Sequence, residues 1–337
     1  MRFTHLAAAL SLATASLSTA CLGTTGDGRM SGGTDQTGSN GGSGGSASPT
    51  GDCKELDQDL TIRSAADMAT LPKTGCYDLF GTLTIQGASV TSLAGLNGLN
   101  SVNELVLDST SLTSFDTKGD VGIYGKLTVT NNTKLTNLDK LAFSAASTGI
   151  SITNNPALTS VKPFELDDPQ LSQVNGDLTI TGNSLLAQLD AKYLANVTGS
   201  LTISSNPKLT SLSLPALVGT GGSLAITNNA ALASLGAMSA LYRVGGNLTL
   251  DGNSVLTNLA AFTTTIKFVD SMLTISNNAA LTDLGSLKHL SLVGAITITS
   301  NQNLLSCRAT EIDRCTQHPV NSVINNNKSS NCNAQCN

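Results

Sequence analysis

Three groups of side chains in this chain have types and spacings that could do chemistry. Glu165, Asp167 and Asp168 fall within four residues, next to Phe164 and between two prolines. Carboxylates this close could supply the oxygen ligands of a calcium ion. The plainer account is a solvated acidic loop available for contact with a partner. Cys315 and His318 have the Cys-x-x-His spacing of a zinc half-site. Hydroxyls recur two residues apart at Thr128/Thr130, Thr179/Thr181, Thr202/Ser204, Thr274/Ser276 and Thr297/Thr299, with Thr249 in the same series. On a strand, such pairs point to one side. A flat row of them could bind a regular lattice, either ice or a repeating polysaccharide. Threonine also simply suits exposed strand positions. Val106 and Ala225 interrupt the row, and Lys126 and Asp177 put charge beside it. No nucleophile, base and orienting group come together. The acids Glu104, Asp108, Asp177 and Asp251 are scattered, and only His289 and His318 lie beyond the first twenty residues. The chain therefore reads as a non-enzyme, with no cofactor and no resident metal.

The elements that must position these groups form one repeat. Leu60-Thr61-Ile62 returns as short apolar pairs ending at Ile85, Leu107, Val129, Ile152, Ile180, Ile203, Ile226, Leu250, Ile275 and Ile298. The steps are 22 to 25 residues, apart from one of 28 between Ile152 and Ile180, which holds the acidic loop. A fixed period of this size marks stacked coils, each resting on its neighbours. Three residues after the pair stands Asn132, Asn155, Asn183, Asn206, Asn229, Asn253, Asn278 or Asn301. Six after it stands Leu, and nine after it, in all of these coils but the last, Leu or Val. Stacked strands lie about 4.8 Å apart, so the Asn column is expected to form an inward ladder of side-chain amides. Gly81, Gly125, Gly176, Gly199, Gly222, Gly246 and Gly294 recur just before the pair. They suggest a tight corner that needs positive φ.

The N-terminus reads as an export segment. Arg2 precedes an apolar run from Leu6 to Leu17, too short to span a membrane once mature, followed by Ser18, Ala20 and Cys21. Residues 1–20 are read as a signal peptide. Residues 22 to 51 are dominated by Gly, Ser and Thr, which cannot bury enough surface to order themselves. Residues 21–52 are read as a flexible linker whose thirty or so residues span about 30 Å. The seven cysteines are an odd number for an exported chain. Setting Cys21 aside leaves Cys53 and Cys76 around the first coil, and Cys307, Cys315, Cys332 and Cys336 after the last. Disulfides there would pin the terminal coils. Cys53 with Cys76 is the preferred pair, and the other four allow three pairings. An oxidising compartment favours disulfides over zinc.

Leu17-Ser18-Thr19-Ala20-Cys21 resembles the lipobox of bacterial lipoproteins, with Ser18 where that class prefers Leu. The resemblance implies that Cys21 carries the lipid. Leu22 lacks the Asp that marks inner-membrane retention, so an outer-membrane anchor is expected, with a periplasmic or released form as the alternative. The opening coil, Asp59-Leu60-Thr61-Ile62-Arg63-Ser64 with Asp67, Leu71, Cys76 and Gly81-Thr82-Leu83-Thr84-Ile85, resembles the receptor L domain. So does the Asn-x-x-Leu-x-x-Leu continuation, over roughly residues 53 to 336. That likeness implies a recognition role on a right-handed parallel solenoid. The chain departs from it in having more coils and no Trp. A leucine-rich-repeat horseshoe is the nearest rival, but no helical stretch recurs.

The expected architecture is thus an all-β, right-handed, single-domain parallel β-solenoid of about eleven coils over 53–337, stapled by disulfides at its ends. Charged residues make up 12% of the chain, with a net charge of −5. That excludes the basic footprint of nucleic-acid binding. The expected partners are a membrane, reached through the N-terminal lipid, and an extracellular protein or glycan. The expected role is recognition or adhesion, with a structural envelope spacer as the alternative.

Overall fold

The computed structural model describes residues 53–143, 148–161, 171–316 and 321–330. Cys21, the N-terminal segment, Phe164, Glu165, Asp167, Asp168, His318, Cys332 and Cys336 lie outside these residues.

The chain is a parallel β-solenoid. Leu60, Leu83, Leu105, Leu127, Ile150, Leu178, Leu201, Leu224, Leu248, Leu273, Ile296 and Ser322 sit side by side in continuous parallel register. These twelve rungs bound eleven turns. The last rung, Ser322–Asn325, carries Ser where the repeat has Leu or Ile, which hid it from the sequence pattern. A second parallel ladder precedes the first in each turn and runs through Val174, Val197, Thr220, Val244, Val269 and Val293. A third set of contacts pairs Gln188–Asp190 with Ser211–Ser213, with single bridges elsewhere. The extra residues of the 25-residue step ending at Ile275 precede Val269, which already pairs with Val244 in register, and a bulge between Val269 and Met272 adjusts this strand to the following rung, Leu292–Thr299.

Alternation along each short strand sends its two apolar residues inward. The leucines six and nine residues after the strand join them, so the interior is one continuous apolar column. A single buried polar column accompanies it. All eight asparagines from Asn132 to Asn301 are fully buried. Each side-chain oxygen accepts the backbone N–H of the column residue one rung earlier. Each side-chain amide donates to a strand carbonyl of that earlier rung. These bonds measure 2.8–3.1 Å. Asn327 extends the ladder by one rung at the C-terminal end. At the other end Thr110 takes the same position and donates both its N–H and its hydroxyl to Asn132 Oδ1.

The expectation that the recurring glycines before the strand adopt positive φ is corrected. Positive φ occurs after the strand, at the residue preceding the ladder position: Ser109, Asn131, Asn154, Gly182, Ser205, Asn228, Gly252, Asn277, Ser300 and Asn326. Gly and Asn tolerate the left-handed region best. The glycines before the strand are required by close stacking instead. A Cβ at Gly125 would lie 2.8 Å from the Asn103 carbonyl oxygen.

The ends are closed covalently. Cys53 and Cys76 form a disulfide with Cα atoms 4.8 Å apart, the spacing of adjacent rungs. Asp67 closes the turn after the first rung by accepting the N–H groups of Arg63 and Ser64. These bonds hold its carboxyl below the usual carboxylate range. At the far end a helix absent from the sequence reading, Ser306–Cys315, buries Cys307, Ala309, Glu311 and Ile312. The Glu311 carboxylate is paired with Lys288 at 3.3 Å and Arg308 at 3.2 Å. Cys307 and Cys315 are both disulfide-bonded, so Cys315 has no thiolate to offer zinc.

Asn206→Ala removes the acceptor of the Asn183 N–H and a donor to the Ile180 carbonyl. It should lower the unfolding free energy by about 1–3 kcal/mol, read as a reduced urea midpoint, and an unchanged midpoint would contradict a stabilising ladder. Tyr77 is 1% exposed, and its hydroxyl has no hydrogen-bond partner among the described residues. Burial pushes its pKa up to about 12. Between the ordinary value of 10 and that value the unfolded chain binds fewer protons, so stability should fall as pH rises through this window. Tyr77→Phe should lose this alkaline slope and be no less stable at neutral pH, as urea midpoints at pH about 7, 9 and 11 would show.

Candidate binding faces

The middle residue of each main-sheet strand points outward and is partly exposed. The pairing brings Thr128, Ser151, Thr179, Thr202, Ala225, Thr249, Thr274 and Thr297 into one column. The expected threonine series is therefore assembled, with one hydroxyl missing at Ala225. Two residues along each strand lies a parallel column that includes Thr130, Thr153, Thr181, Ser204, Asp251 and Ser276. Here hydroxyls bond to one another across rungs, Thr153 to Thr130 at 3.0 Å and Thr181 with Ser204 at 2.9 Å. Asp251 accepts from Ser276 and Asn277. This second column therefore offers fewer free hydroxyls than its composition suggests, and it carries a carboxylate. Lys126 and Asp177 line one depression of about 400 Å³ at the edge of the threonine face, with Thr148, Ser151 and Thr179. Asp177 accepts the Ser200 N–H at 2.7 Å, which fixes its position.

The second ladder carries a face that sequence reasoning missed. Its strands are two or three residues long, so alternation is too brief to register as a pattern. One column runs through Ala195, Val218, Tyr242 and Lys267, tied by backbone bonds of 2.8–2.9 Å. The next runs through Gln173, Asn196, Gly219, Arg243, Phe268 and Leu292. Tyr242, Val218 and Leu292 are 47%, 45% and 44% exposed. The Tyr242 ring meets Phe268 edge-on at 5.3 Å. Arg243 grips Asp270 through Nε at 2.9 Å and through Nη2, and this contact holds its guanidinium above its ordinary pKa. Between these groups lies a groove of about 410 Å³, floored by Gly219 and Gly221. The only signal in the sequence was the pair Tyr242 and Phe268, in a chain that is 3% aromatic.

Among the described residues no group of three or more His, Cys, Asp or Glu is placed to hold a metal ion. The outward acids do not converge. Asp108 is engaged by Ser109 and Asn131, far in the stack from Asp177 and Asp251.

Ala225→Thr would fill the gap in the threonine column. Ala225 is only partly buried and faces outward, so the melting curve should move by no more than about 0.5 kcal/mol in stability. A larger loss would mean that the column has less room than its register implies. Comparison with protein-family models, with curated proteins and with solved structures finds no match for this chain.

Proposed function

We propose that the protein is a non-enzymatic, lipid-anchored protein of the bacterial cell envelope, and that it displays its solenoid for recognition or adhesion. The observation that carries this reading is the side wall of the second ladder. There Val218, Tyr242 and Leu292 are exposed, and half-buried Phe268 lies on the rung between Tyr242 and Leu292. Contiguous apolar surface of this kind marks interaction sites, and nothing in the folding of the coil calls for it. The interior is closed by apolar side chains and the Asn ladder, so binding falls to the outer faces. Several outward acids are held in local hydrogen bonds, which favours a binding role over acid–base chemistry. The Cys21 motif and the linker 21–52 support a tethered anchor. The Cys53–Cys76 disulfide suits an oxidising compartment. The receptor-L-like repeat adds a recognition role by resemblance.

The test is protease treatment of intact cells producing the wild-type protein or Cys21→Ala. The wild type should be digested on whole cells, and the variant should be released or mislocalised. Protection of the wild type until lysis would overturn surface display and favour a structural role inside the envelope.

A further inference from the structure

We infer that the groove between Val218 and Tyr242 is a binding site for a neutral glycan chain. This deepens the recognition reading above and rests on it. A saccharide has an apolar face of C–H groups and a rim of hydroxyls, so it needs an aromatic or aliphatic wall beside uncharged hydrogen-bonding groups. Tyr242 and Val218 supply the wall. The ring is held in place from behind by Phe268, so little side-chain freedom is lost on binding. Around it stand the Asn196 amide and the hydroxyls of Thr198 and Tyr242, none of which has a side-chain hydrogen bond among the described residues.

The floor is bare for a structural reason. A Cβ at Gly219 would lie 2.8 Å from the Arg243 carbonyl oxygen, and one at Gly221 would collide with the Thr198 carbonyl. The stacking that demands glycine there also opens the space. Charge selects against an ionic ligand. Arg243 is the one charged residue lining the groove among the described residues, and Asp270 neutralises it. A peptide adding as a strand is also disfavoured. Such peptides bind through free backbone groups at a sheet edge, whereas here the N–H groups of Val218, Gly221, Tyr242 and Gly245 all donate to the preceding rung. The ligand must be read by side chains alone.

The experiment is binding of the full chain to insoluble β-glucan, mannan and chitin, with alginate as an anionic control. Wild type is compared with Tyr242→Ser, Thr198→Trp and, on the threonine face, Thr202→Tyr. Thr198 is exposed and its side chain is unbonded, so a Trp there fills the groove without touching the core. The expected result is retention on at least one neutral polysaccharide that is about tenfold or more weaker in both groove variants, the loss typical of an aromatic anchor, and unchanged in Thr202→Tyr. Melting curves confirm that the variants fold. Loss of binding only in Thr202→Tyr would overturn the assignment, as would salt-sensitive binding to alginate alone. Retention on none of the probes would overturn it too, as would self-association that Tyr242→Ser abolishes. Surface display is read separately by the protease experiment. A displayed protein that binds no glycan removes only this inference, and a glycan-binding protein protected until lysis removes only the display reading.

Discussion

A buried side-chain amide has to be satisfied on every side, and the architecture follows from that requirement. Each ladder Asn bonds the backbone of the preceding rung with both its oxygen and its nitrogen. An amide buried without partners would cost more than a well-made bond returns. The amide therefore tolerates only one vertical spacing and one lateral register. That fixes the position of the strand before it and of the leucines six and nine residues after it. The left-handed residue preceding each ladder position turns the chain so that the next side chain points inward. In Asn131-Asn132, Asn154-Asn155 and Asn277-Asn278 the same residue type serves both purposes: the first Asn accepts the strained backbone and the second supplies the amide.

The terminal rungs lack a neighbour on one side, and the structure replaces what is missing. The disulfide at Cys53–Cys76 ties the segment before the first rung to the second turn, where the Asn ladder has not begun. Thr110 starts the ladder with a shorter side chain that still presents both donors to Asn132. At the other end Asn327 continues it onto a strand without the usual leading apolar residue. The helix Ser306–Cys315 then covers the last apolar positions and buries a paired carboxylate. Cysteines are confined to these regions because the coils between are already cross-linked by hydrogen bonds.

The repeat, the parallel register, the inward leucines and the Asn ladder were legible in the sequence because stacking forces equivalent residues to recur. The role of the glycines was not. Glycine offers both positive φ and the absence of a Cβ, and its position alone does not say which is used. At Gly125 and Gly176 it is the second. The twelfth rung was masked by Ser322, and the end helix occurs once and so leaves no period. The threonine column was visible because it shares the strand's regularity. The groove beside Tyr242 was hidden because its residues differ from rung to rung.

That contrast bears on where recognition resides. A column repeated on every rung presents the same group at a fixed interval, and it can match only a ligand with that interval. Here the threonine face fails even this, since Ala225 interrupts one column and Asp251 charges the other. A site for a defined ligand needs unlike groups close together. The second ladder supplies them, because its outward positions are not constrained by the core. Their backbones are fixed by rung-to-rung bonds, while side chains as different as Asn196, Gly219, Arg243 and Phe268 occupy equivalent places. The regular interior thus leaves the outer residues of one face free to differ from rung to rung, with Gly219 the position where close stacking on Arg243 still dictates the residue, and that variation is what makes selective binding physically available there.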